Sequence, residues 1–254
     1  MYVMQEIINS YCKFNLILKI LDYSECYKKH KLFSIFVLSK KFFDQINVYK
    51  IKNKNIEIIY QDSDNKKIKI ENSIINKAIF LFEKFYNLKV TNFKFVVIKN
   101  IPIGSGLGGG SSNAACILNF LYKKYNIPKN KQIPFLKIAI ELGSDIPFFL
   151  SNYSSALVTN FGDSIYPINL PNIDHSIIIN KLICKTDLVF QKYKDLEKFN
   201  NFGYQNDLMP AAFLLYPDLV RIYKNLLKKH NNVIMSGSGS SFVVLHNNKR
   251  SKYE

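Results

Sequence analysis

The spacing of apolar residues changes several times along the chain, and each change marks an element. Apolar and polar residues alternate over 14–20, 32–38, 46–51 and 55–60, which predicts strands. A polar turn follows at 61–67. From Asn72 to Tyr86 the period lengthens. Ile75, Ala78, Ile79, Phe82, Phe85 and Tyr86 fall at helical spacing behind Asn72 or Ser73 as cap. Alternation returns at 93–98, and helical spacing at 112–125 and 133–142, the latter with Pro134 in its first turn and Gly143 closing it. Strands are predicted at 156–160 and 176–180, and helices at 188–193, 207–215 and 219–229. A Gly/Ser loop, 236–241, lies between strands at 233–235 and 242–246. Strands and helices mixed in this order predict an α/β (α+β) fold. A change of composition near 151–155 suggests a boundary between two domains.

Between the strand at 93–98 and the helix after it, side chains nearly vanish. Gly104, Gly106, Gly108, Gly109 and Gly110 are half of the chain's 10 glycines. Glycine reaches positive φ and lets main-chain N–H groups come close to a ligand. The helix that follows leaves its first N–H groups unpaired and carries about half a positive charge at that end. Ser111 is expected as its N-cap, and Ser111 and Ser112 offer hydroxyls. Strand, glycine loop and helix together predict an anion site, with phosphate as the anion.

Two other glycine motifs do not fit. Gly104-x-Gly106-x-x-Gly109 has the dinucleotide spacing, but that site needs an acidic residue about 20 positions on, where this chain has Lys123-Lys124-Tyr125-Asn126. A Walker A loop needs Lys followed by Ser or Thr after its last glycine, and Gly110 is followed by two serines. A flexible linker is a poor match, because the loop joins two strongly apolar elements.

The 254 residues, 48% of them hydrophobic, can bury one large core or two modest ones. No apolar run reaches the ~18 residues of a membrane span, and the start Met-Tyr-Val-Met-Gln-Glu is not that of a secretory signal. Cys12, Cys26, Cys116 and Cys184 are scattered without CxxC spacing and are read as free thiols of a cytoplasmic protein. The net charge of +16 raises the question of nucleic acid. The lysines, however, are spread through every segment rather than gathered in one tract. The expectation is a general field that attracts anionic nucleotides, with no dedicated nucleic-acid partner and no membrane.

The run Pro102-x-Gly104-x-Gly106-Leu107-Gly108-Gly109-Gly110-Ser111-Ser112-Asn113-Ala114 resembles the phosphate loop of the GHMP kinases. Its Gly-Gly-Gly-Ser-Ser-Asn-Ala form resembles the branch of that family that phosphorylates a cytidyl-diphosphate alcohol for isoprenoid synthesis. Lys13-Phe14-Asn15-Leu16, His30 with Phe36, Leu142-Gly143-Ser144-Asp145-Ile146-Pro147-Phe148-Phe149, Asn206-Asp207-Leu208 and Met235-Ser236-Gly237-Ser238-Gly239 resemble the other motifs of the branch, in the same order. The likeness covers nearly the whole chain. It departs in four places: Lys29 stands where a tyrosine usually precedes the histidine, with Tyr27 as a substitute; Ser105 replaces a frequent glycine; Tyr11-Cys12 replaces Pro-Ala; and the chain stops soon after His246.

The resemblance implies a two-domain GHMP-kinase fold, with 1–153 as the ATP-binding domain and 154–254 as a second, shortened domain. It implies transfer of phosphate from ATP, with Mg²⁺ as part of the co-substrate complex, to the 2-hydroxyl of 4-diphosphocytidyl-2-C-methyl-D-erythritol. A homoserine or mevalonate type of GHMP kinase and a basic nucleotide- or RNA-binding protein are the alternatives. The partner implied is a small-molecule substrate, and the state a monomer or weak dimer.

Phosphoryl transfer asks mainly for positioning and charge neutralisation. From its surroundings Asp145 serves equally as a cap for the next turn or as a base, and the resemblance favours the base. Lys13 reads as an exposed strand lysine; the resemblance places it beside Asp145 to stabilise the transferring phosphoryl group. The resemblance carries Asn15, His30 and Phe36 over as substrate contacts, although a strand Phe is usually core. Lys99, Pro102, Gly104, Gly106, Leu107, Gly108, Gly109, Gly110, Ser111, Ser112 and Asn113 are assigned to the nucleotide. Gly237, Ser238 and Gly239 are assigned to the substrate diphosphate, with a surface turn as the plainer reading. No metal ligand is assigned, and Thr186 and Asp207 receive no catalytic role.

Overall fold

The structure is a computed structural model that describes residues 3–52, 54–196 and 203–246. It opens with a hairpin of two 22-residue strands, β1 (Val3–Ser24) and β2 (Lys29–Lys50). The hydropathy pattern breaks these into short pieces for a physical reason. The pairing shifts register at several points: Tyr11 faces Phe43 while Cys12 faces Ser39, so residues 40–42 bulge from β2. A bulge bends a strand and interrupts its inside–outside alternation. The first part of β1 is also largely exposed, so it shows no buried face to read.

β3 (Ile56–Gln61), β4 (Lys67–Ile68), β5 (Phe93–Ile98), β6 (Ser155–Asn160) and β7 (Ser164–Pro167) complete a seven-stranded sheet in the order β4-β3-β5-β2-β6-β7, with β1 also on β2. β5 and β6 share one edge of β2, against Gln45–Lys50 and Leu32–Val37 respectively. Because β6 and β7 belong to this sheet, it runs on to Pro167, past the boundary expected at residue 153.

Helices α1 (Ile74–Tyr86) and α2 (Gly109–Lys124) bury Ile79, Phe82, Ile117, Leu118 and Leu121 against Phe93, Phe95 and Val97 of β5. Ser73 caps α1, its side chain accepting from the Asn76 amide, and Asn87 ends the helix in left-handed backbone. Phe85, expected on the buried face of α1, is 40% exposed. Two short helices follow, α3 (Phe135–Glu141) and α4 (Ile146–Ser151); the second was not expected.

The rest of the chain forms a three-stranded antiparallel sheet, β8 (His175–Ile178), β9 (Val233–Met235) and β10 (Phe242–Leu245) in the order β8-β10-β9. It packs with α5 (Thr186–Leu196), α6 (Met209–Leu215) and α7 (Pro217–Leu227). The expected stop after His246 lies outside the described residues. The outer half of the hairpin reaches into this second layer. Leu18, Ile20, Leu32 and Phe36 pack with Val189, Leu208, Met235 and Phe242, while Cys12 and Phe14 pack with Ile177 and Val243. None of the described helices is long and apolar enough to cross a membrane.

A buried polar contact joins the two sheets across their apolar seam. His175 is 7% exposed, and its Nε2 lies 2.8 Å from the Ser39 hydroxyl. Its Nδ1 lies 2.8 Å from the Ile173 carbonyl, so Nδ1 carries the proton and Nε2 accepts from Ser39. Burial holds the His175 pKa below the usual 6.5, partly opposed by the Ile173 bond; Lys41, Asp174 and His246 are the charged or titratable groups around it. A histidine with a depressed pKa contributes stability that is complete above pH 6.5 and is lost as the pH falls from there toward its folded value. Unfolding free energy should therefore drop between pH 7 and 5.5. His175→Gln should flatten that drop when urea midpoints are compared across the interval.

Candidate active site

The glycine loop joins β5 to α2, and its backbone explains its composition. Gly104, Gly106 and Gly108 have φ of 67°, 75° and 71°, the left-handed region that side chains resist. At Gly106 a second constraint applies: a Cβ there would lie 2.0 Å from the Ser236 carbonyl oxygen. The loop is clasped from the C-terminal side. The Ser236 hydroxyl donates to Gly106 O at 2.9 Å, Ser241 N to Ser105 O at 3.0 Å and Cys184 N to Gly104 O at 3.1 Å. Burial pushes the Cys184 thiol up to about 11, so this cysteine packs behind the loop as a neutral group.

Helix α2 starts earlier than expected. Gly108, not Ser111, stands at its N-cap, without a side-chain cap bond. The first helical bond runs from Ser112 N to Gly108 O at 2.8 Å. The amides of Gly109, Gly110 and Ser111 precede it and form the positive end of the helix dipole. Ser111 lines the cleft, whereas Ser112 is 2% exposed and its oxygen accepts from the Ser10 hydroxyl at 2.7 Å.

Lys13 is 2% exposed, with three partners around its ammonium. Nζ donates to Asn15 Oδ1 at 2.8 Å, lies 3.3 Å from Asp145 Oδ2, and sits 4.6 Å from the centre of the Phe36 ring. Its main-chain N–H donates to Leu107 O at 3.0 Å, which ties β1 to the glycine loop. Asp145 stands at the N-cap of α4, where Pro147 suits the first turn. Its carboxylate makes no cap bond there. It points to Lys13 and stays 29% exposed, so the capping alternative is not realised.

These groups open onto a cleft of about 920 Å³. Of the residues assigned to the nucleotide, Lys99, Pro102, Gly104, Gly106, Gly108, Gly109, Gly110, Ser111 and Asn113 line it. Leu107 does not: its side chain is fully buried, and only its carbonyl serves the site. Lys99 differs from expectation too, since its ammonium pairs with the fully buried Asp44. Asn113 donates to the same carboxylate at 3.0 Å.

Of the residues assigned to the substrate, Asn15, His30, Phe36, Gly237 and Ser238 line the cleft, while Gly239 faces Met235 and Cys184. Phe36 is 1% exposed and packs edge-on against Phe148 beneath Lys13, which makes it part of the floor and not a stacking platform. The amide of Asn15 is engaged within the protein: Oδ1 takes Lys13 and Gly237 N at 3.0 Å, and Nδ2 donates to Ser34 at 2.8 Å. His30 keeps a buried Nε2 without a partner, and its ring lies 5.0 Å from Tyr23 and 6.2 Å from Phe190.

Tyr27 does not replace the missing tyrosine. It packs on Phe161 and lies outside the cleft. Lys29, in the usual tyrosine position, donates to Ala139 O at 2.7 Å, and burial lowers its pKa. The aromatic neighbours of His30 are instead Tyr23, Tyr193 and Phe190, which sequence reading missed; the helical spacing of α5 marks Phe190 as apolar but not as facing a cleft. Thr186 also lines the cleft and shares a 3.0 Å bond with Ser238. Asn206 donates to Gly237 O and Met235 O, both at 2.8 Å, and so holds the C-terminal loop. Asp207 pairs with Lys19 and accepts from Ile20 N, a role in the frame.

Among known proteins, the GHMP kinases N terminal domain matches residues 72–153. The 4-diphosphocytidyl-2-C-methyl-D-erythritol kinase of Ureaplasma parvum serovar 3 is 30% identical, over 93% of this chain and 94% of that protein. Its namesake from Campylobacter jejuni subsp. jejuni serotype O:6 is 32% identical, over 92% and 98%. The crystal structure of a 4-(cytidine 5'-diphospho)-2C-methyl-D-erythritol kinase matches with a TM-score of 0.72 at 24% identity, covering 95% of this chain and 90% of that one. Homoserine kinase from Cytophaga hutchinsonii follows at 0.58 and 14%, covering 97% and 87%. At these identities the two structures speak for the fold.

Two glycines of the loop should respond oppositely to a methyl group. Gly106→Ala meets both left-handed backbone, worth about 1–2 kcal/mol, and the Ser236 carbonyl, so urea unfolding should register a clear loss. Gly110→Ala meets only Ile74 at 3.6 Å inside a helix, where alanine is favoured by up to about 1 kcal/mol, and stability should hold or rise. Equal losses at both positions would contradict the loop-to-loop contact as the reason for Gly106.

Proposed function

The chain belongs to the GHMP kinases, in the branch of the 4-diphosphocytidyl-2-C-methyl-D-erythritol kinases, and we propose that it transfers a phosphoryl group from ATP to the 2-hydroxyl of that cytidyl alcohol. The observation that carries this reading is the Lys13–Asp145 pair on the cleft beside the N-terminus of α2. The amides of Gly109, Gly110 and Ser111 and the helix dipole hold the phosphates of ATP. Tyr60, Ile70, Asn72 and Ile74, on the wall beside α1, receive the adenine end, since Ile74 adjoins Gly110. The acceptor lies on the other flank, its base against His30, Tyr23 and Phe190 and its diphosphate by the Gly237–Ser238 loop.

Asp145 accepts the proton of the 2-hydroxyl as the oxygen attacks the terminal phosphorus, and ADP departs. Its partial exposure gives the proton a way out to water. The Lys13 ammonium, fixed by Asn15, faces the charge that builds on the transferring group. Asn15 therefore acts by orienting Lys13 and not by reading the base. Mg²⁺ brought in with ATP would neutralise phosphate charge. Of the residues on the cleft, the Ser111 hydroxyl at the start of α2 is the group at hand to help hold it beside the phosphates. We place the reaction in a reducing cytoplasm, in keeping with four free thiols.

A homoserine or mevalonate acceptor has no use for the aromatic chamber around His30. ATP consumption measured over a panel of alcohols should be highest with the cytidyl substrate, and preference for an aliphatic acceptor would overturn the assignment. Asp145→Asn should retain both ligands but lower kcat by ~10²–10⁴-fold. Lys13→Met should lower it too, and the double variant should lose less than the product of the two, since residues acting as a unit are not additive. Full activity of Asp145→Asn would remove it as the base.

A further inference from the structure

Asp44 lies at the centre of the phosphate loop's support although it never touches the cleft. It is fully buried on β2 and accepts from three neighbouring parts of the loop. Oδ1 takes the main-chain N–H groups of Asn100 and Ile101, each at 2.8 Å, where β5 turns into the loop. Oδ2 takes the Asn113 side chain at 3.0 Å, from the start of α2, and the Lys99 ammonium. One carboxylate thus pins both banks of the loop, strand exit and helix start. The Lys99 side chain is 8% exposed, at the cleft wall.

A buried carboxylate is costly unless its charge is matched and its lone pairs are filled. Here one ammonium and three neutral donors meet both needs. The arrangement also matters to a phosphate ligand. An uncompensated anion behind the loop would repel the phosphates that the loop amides attract, and Lys99 removes that penalty.

We propose that Asp44 is the positioning residue of the phosphate loop, and that Lys99 acts on nucleotide binding through Asp44, as its counter-charge, rather than as a ligand of the nucleotide. The inference rests on the kinase reading, which is tested separately by whether the unaltered chain binds ATP at all. Each role predicts a different pattern across a charge-balanced cycle. Asp44→Asn keeps the loop bonds, because Asn113 can turn its amide, whose Oδ1 has no partner, to meet the new side chain, but it leaves the buried Lys99 ammonium unmatched, and the shift of Lys99 toward water displaces the strand exit of the loop. Lys99→Met leaves Asp44 unmatched. The double variant Asp44→Asn/Lys99→Met restores neutrality while keeping an acceptor for the Asn100 and Ile101 amides.

The experiment is titration calorimetry with ATP on the full chain and the three variants, beside steady-state KM values for ATP and for the acceptor. Each single variant should weaken ATP by about tenfold or more with the acceptor KM within about threefold, and the double variant should return to within about threefold of the parent, a coupling of the size seen for contacting residues. If Lys99 is a nucleotide ligand, the double variant will bind as poorly as Lys99→Met, which overturns the assignment of Lys99. ATP binding unchanged in Asp44→Asn overturns the positioning role. Equal loss for ATP and acceptor would reduce Asp44 to general structural support and overturn it too. Should any of the three fail a thermal melt, Asn113→Ala, which cuts only the helix-side bond, decides: weaker ATP with unchanged acceptor KM supports the proposal, and unchanged ATP binding refutes it.

Discussion

A buried ammonium must be matched where it lies, and Lys13 makes the architecture around it necessary. Its three partners come from separate elements: Asn15 from β1, Phe36 from β2, and Asp145 from the N-terminus of α4. Asn15 can serve only because Ser34 fixes the other end of its amide and Gly237 shares its oxygen. The long hairpin, the six-residue α4 and the C-terminal loop therefore converge on one charge. A pair buried on the lysine side and open on the carboxylate side is also suited to chemistry: Lys13 cannot wander, while Asp145 can exchange a proton with water.

The loop glycines divide into two kinds once their neighbours are known. Gly104 and Gly106 face the C-terminal layer, where backbone meets backbone and a side chain has no room. Gly109 and Gly110 lie in the first turn of α2, beside the cleft. Thus the same loop both closes the two layers upon each other and offers amides to an anion. Movement of Gly237, which Asn206 and Asn15 hold, would reach Lys13 through a single shared oxygen.

Local signals made much of this legible. The period change into α1, its Ser73 cap, the strand before the glycine loop and the two C-terminal strands around the Gly/Ser loop lie where the spacing of residues puts them. What was hidden depends on distant partners. The first part of β1 is an exposed strand with no alternation to read, and α4 is too short to show a period. Asp44, in the run Phe42-Phe43-Asp44-Gln45, looks like a polar break between two strands; its meaning comes from amides and side chains on β5 and α2. Lys13 and Asp145 could be joined only through resemblance to a family, because nothing in either local pattern points to the other. Phe36 shows the converse: the plainer reading of a strand phenylalanine as core describes its burial better than a role in stacking.

The +16 charge takes on a narrower meaning in this light. Lysines at the cleft are largely committed within the protein: Lys13 to Asp145 and Asn15, Lys99 to Asp44, Lys29 to the Ala139 carbonyl. Nucleic-acid affinity by counterion release needs a tract of free surface cations, each neutralising a phosphate. Those three side chains do not add to such a tract. An anion entering this cleft would meet main-chain amides at the start of α2 and the positive end of its dipole, groups fixed in direction. The diffuse surface charge adds long-range attraction for anions, which salt screens within about 8–10 Å.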